Sequence, residues 1–413
     1  MKSIRYLYKI GKGPSSSHSM GPQRAAELFR RRLSQTPRTI EVELYGSLAA
    51  TGKGHLTDRA ILETLSPLPV KILWLPEKTL PLHPNGMIFR GLNPSGEILD
   101  TWEVYSIGGG DLLDKEGPVA ISTSYPEYEF NTAAEILREC EQKGISIPEM
   151  IRSRESADFY DFLEWIWKVM SDAVDAGLRS EEPFLPGGLR LARKAPMMYR
   201  AANENIDFVR NLNLVSSYAL AVAEENASGG TIVTAPTCGS AGVLPGVLYY
   251  FHRHHRMPIK SILDGLIVAG VFGSIVASNA SISGAMVGCQ GEIGTACAMA
   301  SAAAACLLGG TPMQIEYAAE MGLEHCLGLT CDPVAGLVQI PCIERNAFMA
   351  VRAVECAMYS LATRGEHLVS FDEVVEVMNQ TGRDLQTKYR ETATGGLAQI
   401  IARRKFPGIT TTG

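Results

Sequence analysis

The chain has 413 residues, 46% of them hydrophobic, enough to bury one large core or two ordinary ones. Its formal net charge is −6 and neither half is strongly basic, which argues against a nucleic-acid partner. Nine cysteines, an odd number, and an opening MKSIRYLYKIGKG without an apolar run predict reduced thiols, no secretory signal and a cytoplasmic location.

GPSSSHSMGP (13–22) comes first, three serines and His18 between two Gly/Pro pairs. GPQRAAELFRRRL (21–33) predicts a helix, with Pro22 at its start and Ala25, Leu28, Phe29 and Leu33 as an apolar stripe. TIEVELYGSL (39–48), VKILWL (70–75) and EILDTWEVYSIGG (97–109) predict strands. Residues 111–127 read as a connection. Helical periodicity then dominates, over 132–144, 156–178, 212–227, 294–310 and 345–362. The fold class expected is multidomain α+β: a small α+β N-terminal domain over 1–120 and a larger, mainly α-helical domain over 126–413.

Residues 265–291 and 293–315 contain no charged residue, and length alone would permit spanning helices. The first run is broken by Ser278, Asn279, Ser281 and Ser283, so buried, small-residue helices are expected rather than membrane spans.

Two N-terminal loops present a histidine. In 13–22, serine hydroxyls and unpaired N–H groups ahead of a helix suit an anion. A plain capping turn with Ser19 as the cap is the alternative there. YGSLAATGKGHLTD (45–58) looks like a Walker A loop but fails: six positions separate Gly46 from Gly52, and Gly54 stands where Ser or Thr must hold Mg²⁺. It still places Lys53 and His55 on a glycine-rich loop. Cys289 (GCQG), Cys331 (TCDP) and Cys342 (PCIERN) sit in polar turns, unlike Cys306 and Cys356 on apolar helices. None forms a CxxC pair, so a zinc ribbon is not supported, while a cluster held by three separated thiolates is open. TAPTCGSAGVLPG (234–246) and SNASISGAMVGCQGE (278–292) are polar loops between apolar runs, where glycines let backbone N–H groups approach a ligand.

GPSSSHSMGP, YGSLAATGKGHLTD, EENASGGTIVTAPTCGSAG, NASISGAMVGCQGEIGTACAMA, EHCLGLTCDPVAGLVQIPCIERNA and KYRETATGGLA together resemble the bacterial iron–sulfur-dependent L-serine dehydratases (L-serine ammonia-lyases) in their one-chain form. The matching blocks run from residue 13 to 398. The resemblance implies a [4Fe–4S] cluster held by Cys289, Cys331 and Cys342, with one iron open. It implies that His18 and His55 reach the active site, His55 as the favoured base and His18 as assistant or alternative. The expected substrate-binding residues are Ser15, Ser16, Ser17, Lys53, Thr237, Gly239, Ser240 and Ser283. The expected reaction turns L-serine into pyruvate and ammonia, in amino acid catabolism, by a homodimer without membrane or nucleic-acid partners.

Two departures from the family pattern stand out. Many members end in a cysteine that serves as a removable fourth ligand, whereas this chain ends RRKFPGITTTG. Many read SGAEVGCQG where this chain has Met286, which removes a carboxylate three residues before Cys289. Those departures keep a non-catalytic sensor open, as an activity on a related β-hydroxy amino acid such as L-threonine is. A pyridoxal-phosphate lyase would instead need a Schiff-base lysine and a phosphate loop, and no cysteine turns.

Overall fold

A computed structural model describes residues 1–119, 125–202, 204 and 206–405. The eight strands described are β1 (Ile10–Lys12), β2 (Thr39–Tyr45), β3 (Val70–Leu75), β4 (Gly86–Leu92), β5 (Ile98–Gly108), β6 (Asp111–Asp114), β7 (Gly117–Pro118) and β8 (Thr231–Val233). Six form one sheet in the order β3-β2-β4-β5-β6-β7, antiparallel except for β2–β3. Alternation along β2 buries Ile40, Val42 and Leu44, as a half-buried strand requires. The helices Gly21–Arg32 and Thr57–Leu65 supply Phe29, Ile61 and Leu65 to the same core. Phe29 and Phe89 meet there, ring centroids 5.3 Å apart. Truncating a buried phenylalanine costs about 3–5 kcal/mol.

The helix over 21–33 and the strands over 39–48, 70–75 and 97–109 form close to their expected places. Two features differ. GMIFRGL forms β4, a strand that the sequence reading missed. The expected connection over 111–127 begins as the β6–β7 hairpin, because Gly117 takes a positive φ of 120° and lets the chain turn back. The rest of that connection includes residues 120–124, outside the described set. So does the tail over 406–413, on which the missing-cysteine reading rests.

From Ala133 onward helices dominate. The helix Thr295–Leu307, TACAMASAAAACL, is buried along all but one of its residues. It packs on Ile259–Asn279, Pro312–Glu324 and Cys342–Leu361. Small side chains permit this: a Cβ on Gly322 would lie 2.9 Å from the Ala298 backbone. Ile259–Asn279 is long and apolar enough to cross a membrane by length and composition, but 78% of its apolar window is buried inside the protein. It stops at Asn279, at the serine-rich break.

Hydrophobic packing divides the N-terminal residues between two cores. Ile4, Leu7 and Tyr8 belong to the helical core, and β1 pairs with β8. Arg5 fastens this segment. Its guanidinium lies 3.3 Å from Glu155 and makes paired 2.9 Å bonds to Asp158. Arg5 and Glu155 side chains are almost fully buried, so Arg5→Ala leaves an uncompensated carboxylate. Such a break costs about 3–5 kcal/mol. Guanidinium denaturation should show that loss, and a loss under about 1 kcal/mol would mean that the pair behaves as a surface pair.

Candidate active site

The three cysteine turns meet at one narrow cavity. Its lining includes Cys289, Cys331 and Cys342 together with Ser15, His55, Gly239, Glu292, Arg345 and Glu391. Each thiol arrives on a different element. Cys289 precedes a π-helical turn, Gln290–Gly294, that runs straight into the buried alanine helix. Gly288 before it has φ +74°, and a Cβ there would lie 2.7 Å from the Leu329 carbonyl, so glycine is required. Cys331 lies in an extended segment zipped to residues 389–391: its N–H donates to the Tyr389 carbonyl and Glu391 N–H donates to its own carbonyl, each at 2.8 Å. Cys342 is the first residue of the helix Cys342–Leu361. A helix N-terminus favours an anionic ligand atom.

Arg345 lies one turn into that helix and donates to the Thr330 carbonyl at 2.8 Å. Hydrogen bonding from the Cys331 thiol, helped by the Arg345 guanidinium, lowers the Cys289 pKa to about 6. Cys331, as donor, moves up, and burial pushes Cys342 up. One thiol in the group is therefore primed as a thiolate. Glu292 reaches the same place: its Oε1 is 4.0 Å from Cys331 Sγ, and its Oε2 accepts a 2.6 Å bond from Thr237. Burial, with the Cys289 charge, raises its pKa to about 8.

The small domain supplies the opposite wall. His18 and His55 pack edge to face, centroids 4.5 Å apart, both fully buried. His18 is held at every polar atom. Nδ1 is 2.8 Å from Ser17 Oγ and 3.5 Å from Glu391 Oε1, and Nε2 is 3.3 Å from Ser47 Oγ. Its carbonyl accepts from Thr57 Oγ1. His55 is held by backbone alone, through Ser19 Oγ to its carbonyl at 2.6 Å. Both of its ring nitrogens are buried without a hydrogen-bond partner, as is Glu391 Oε2. Unpaired buried polar atoms cost about 1–3 kcal/mol each, so their convergence on one cavity points to a ligand that satisfies them.

Burial pushes the His18 pKa to about 3 and the His83 pKa to about 4, and His55 moves well below the usual range. These folded-state values lie below the unfolded value near 6.5, so the unfolded chain takes up protons first as pH falls. Stability is fully present above about pH 6.5 and declines toward pH 4. Denaturation curves at stepped pH should show the decline, and His83→Gln should flatten it. An unchanged slope in that variant would contradict the reading.

The expected site residues fall into two groups. Ser15, His55, Gly239 and the three cysteines line the cavity. The others stand behind or beside it. Ser16 and Ser17 are buried in the π-helical turn Ser16–Met20, with Ser17 spent on His18. Thr237 and Ser240 bond each other at 3.1 Å and shape the Gly239 loop. Ser283 is buried against Gly108, its Oγ unpartnered. Lys53 is exposed over the Trp74 ring at 5.8 Å and lines a neighbouring pocket that shares Val338 with the cavity. Ser19 is not the cap of the following helix: Ser15 Oγ caps the turn by accepting from His18 N–H at 3.1 Å, and Met20 precedes the helix without a side-chain bond. Met286 is absent from the lining; its carbonyl accepts from Arg390 at 3.3 Å.

Glu292, Arg345, Glu391 and Ser47 were missed. Glu292 and Arg345 each lie three residues after a cysteine, and that spacing is the signal that could have found them. Glu391 and Ser47 carry no local signal, since long-range pairing alone delivers them.

The domains meet tightly here. A Cβ on Gly54 would lie 2.5 Å from the Gly336 carbonyl, so the histidine loop rests directly on the helical domain.

Comparison with known proteins agrees with this architecture. The family model described as serine dehydratase beta chain matches residues 3–70, and that described as serine dehydratase alpha chain matches residues 121–398. The chain is 41% identical over 450 residues to the L-serine dehydratase of Streptomyces coelicolor, covering 97% of this chain and 99% of that one. It is 41% identical over 447 residues to L-serine dehydratase TdcG of Escherichia coli, covering 95% and 97%. The Haemophilus influenzae L-serine dehydratase is 40% identical over 454 residues, covering 97% and 99%. With both family models aligned on its two domains and relatives matched over nearly their full length, this chain belongs to the serine dehydratase family.

Proposed function

We propose that this protein is an L-serine ammonia-lyase that converts L-serine to pyruvate and ammonia. The observation that carries the reading is His55, a fully buried imidazole with both ring nitrogens unpaired, facing three cysteines across one cavity. The relatives' names supply the substrate. The donor set fits a [4Fe–4S] cluster: three thiols from three elements, one already favoured as thiolate, with no fourth cysteine in the lining. Cys289, Cys331 and Cys342 would hold it, and when bound its open iron supplies Lewis acidity toward the serine hydroxyl.

The chain's own residues do the rest. Ser15 and the Gly239 loop bound the space for the substrate. The carboxyls of Glu292 and Glu391 are the acceptors available to its ammonium. His55, held neutral by burial, accepts the α-proton at a free ring nitrogen. The Cβ–O bond breaks, the Cα=Cβ bond forms, and the leaving hydroxide departs as water with the proton that His55 took from Cα. The resulting aminoacrylate tautomerises and hydrolyses to pyruvate and ammonia. His18 orients its neighbour: its nitrogens are engaged by Ser17, Ser47 and Glu391, so it serves as a positioning residue.

Anaerobic reconstitution with iron and sulfide, followed by a pyruvate assay on L-serine, tests the reading. Turnover that air abolishes is expected. A reconstituted protein that binds L-serine without releasing pyruvate would favour a sensor.

A further inference from the structure

The reacting groups of the thiol site lie beneath the surface. His55 is fully buried, and Cys289 and Cys331 are 6% and 5% exposed. A substrate therefore needs a way in. Beside the thiol cavity, at the seam between the two domains, lies a second pocket of about 450 Å³. That volume, and a position between domains, are typical of small-molecule pockets. The small domain contributes Pro14, Thr51 and Gly54 to it, and the helical domain contributes Gly188, Val334 and Thr392. Four of these stand next in the chain to a residue that lines the thiol cavity: Pro14 to Ser15, Gly54 to His55, Val334 to Pro333 and Thr392 to Glu391. The pocket and the cavity are thus two sides of one thin wall, and Val338 lines both.

Val338 belongs to the loop that joins Cys331 to Cys342. A 2.9 Å bond from the Val334 N–H to the Ile340 carbonyl closes this loop on itself. Gln339 then pins it: the side chain is buried and donates from Nε2 to the Pro186 carbonyl at 2.7 Å. On the far side, a Cβ on Gly239 would lie 3.7 Å from Val338 Cγ1. A β-branched side chain is stiff at χ1, so on a pinned loop its methyl groups set the width of the passage. Lys53 is the only charged side chain in the pocket lining. The lining therefore holds no carboxylate that would trap a passing ammonium.

We propose that this interdomain pocket is the way in for the amino acid substrate and that Val338 is its gate, admitting by size. The proposal rests on the lyase reading for what travels. Its main test does not, since it measures entry without turnover.

Gly188 allows the pocket to be closed from outside. Nothing lies within 4 Å of its Cβ position and its φ is not positive, so a larger side chain there meets open space. Iodoacetamide labelling of the cluster-free, full-length chain, read by mass spectrometry at each cysteine, tests the route. Gly188→Trp should slow alkylation of Cys289, Cys331 and Cys342 several-fold, and Gly188→Ala should leave it near the wild-type rate. Cys306, outside the cavity lining, should react equally in all three proteins. Val338→Ala should speed alkylation of the same three thiols several-fold, and it keeps the test decisive even where Gly188→Trp fails to fold. In the reconstituted holoenzyme, Gly188→Trp should also lower kcat/KM for L-serine several-fold. A wild-type holoenzyme without turnover would sink the lyase reading and leave the labelling result standing. Cavity thiols alkylated as fast in Gly188→Trp as in wild type would overturn the proposal. So would equal rates in Val338→Ala and wild type.

Discussion

His55→Gln is expected to lower kcat for L-serine by about 10²–10⁴-fold, the range for removal of a positioned general base. Cluster absorption should persist, because His55 is no thiol and the cysteines hang on separate backbone elements. KM should change little if the imidazole acts mainly in the transition state. Stability is the discriminating readout. The imidazole is buried with both nitrogens unsatisfied, so His55→Gln loses no side-chain hydrogen bond and should cost little stability. A His18→Gln protein should behave differently. His18 bonds Ser17 and Ser47, so its loss should cost both stability and activity. Full turnover in His55→Gln would transfer the base to another group, His18 among them, its ring centroid 4.5 Å away.

The second large effect belongs to Cys331→Ala. Its fold should survive, because the bonds that place residue 331 run from its backbone to Tyr389 and Glu391 and ignore the thiol. What disappears is one of three cluster ligands. Loss of a Lewis acid worth several kcal/mol corresponds to a fall on the order of 10³-fold or more in rate. Iron and sulfide analysis, visible absorption and pyruvate release should fall together. Cys306→Ala is the control, since Cys306 sits on the alanine helix outside the cavity lining. A Cys331→Ala protein with a full complement of iron and sulfide would mean that another thiol holds the cluster. Cys326, buried and close enough to Cys289 to feel its charge, is then the first to examine.

Much of the architecture was legible in the order of residues. Alternation along 39–45 and 70–75 marked strands, and a 3.6-residue period marked the helices, because burial of one face leaves its period in the chain. β4 was missed although Met87 and Phe89 alternate inward, because flanking glycines weaken the signal of a short strand. The β6–β7 hairpin was hidden in a polar stretch whose turn depends on one glycine. Ser15 rather than Ser19 became the cap, a choice that hinges on where the π-helical turn starts.

The site divides along the same line. Cysteines in polar turns and histidines on glycine-rich loops could be picked out one by one, because their local settings differ from those of core residues. By itself, then, the sequence determined most of the elements, the cysteines and histidines that carry chemistry, and the family pattern they follow. The tertiary structure decided which of those side chains share a cavity. It brought Glu391 beside Cys331 and His18 across 60 and 373 residues of chain respectively. It left His55 unpaired while saturating His18, and it turned Lys53 outward. The physical reason is that hydrogen-bond saturation and desolvation depend on every group packed around an atom, and most of those groups are distant in sequence.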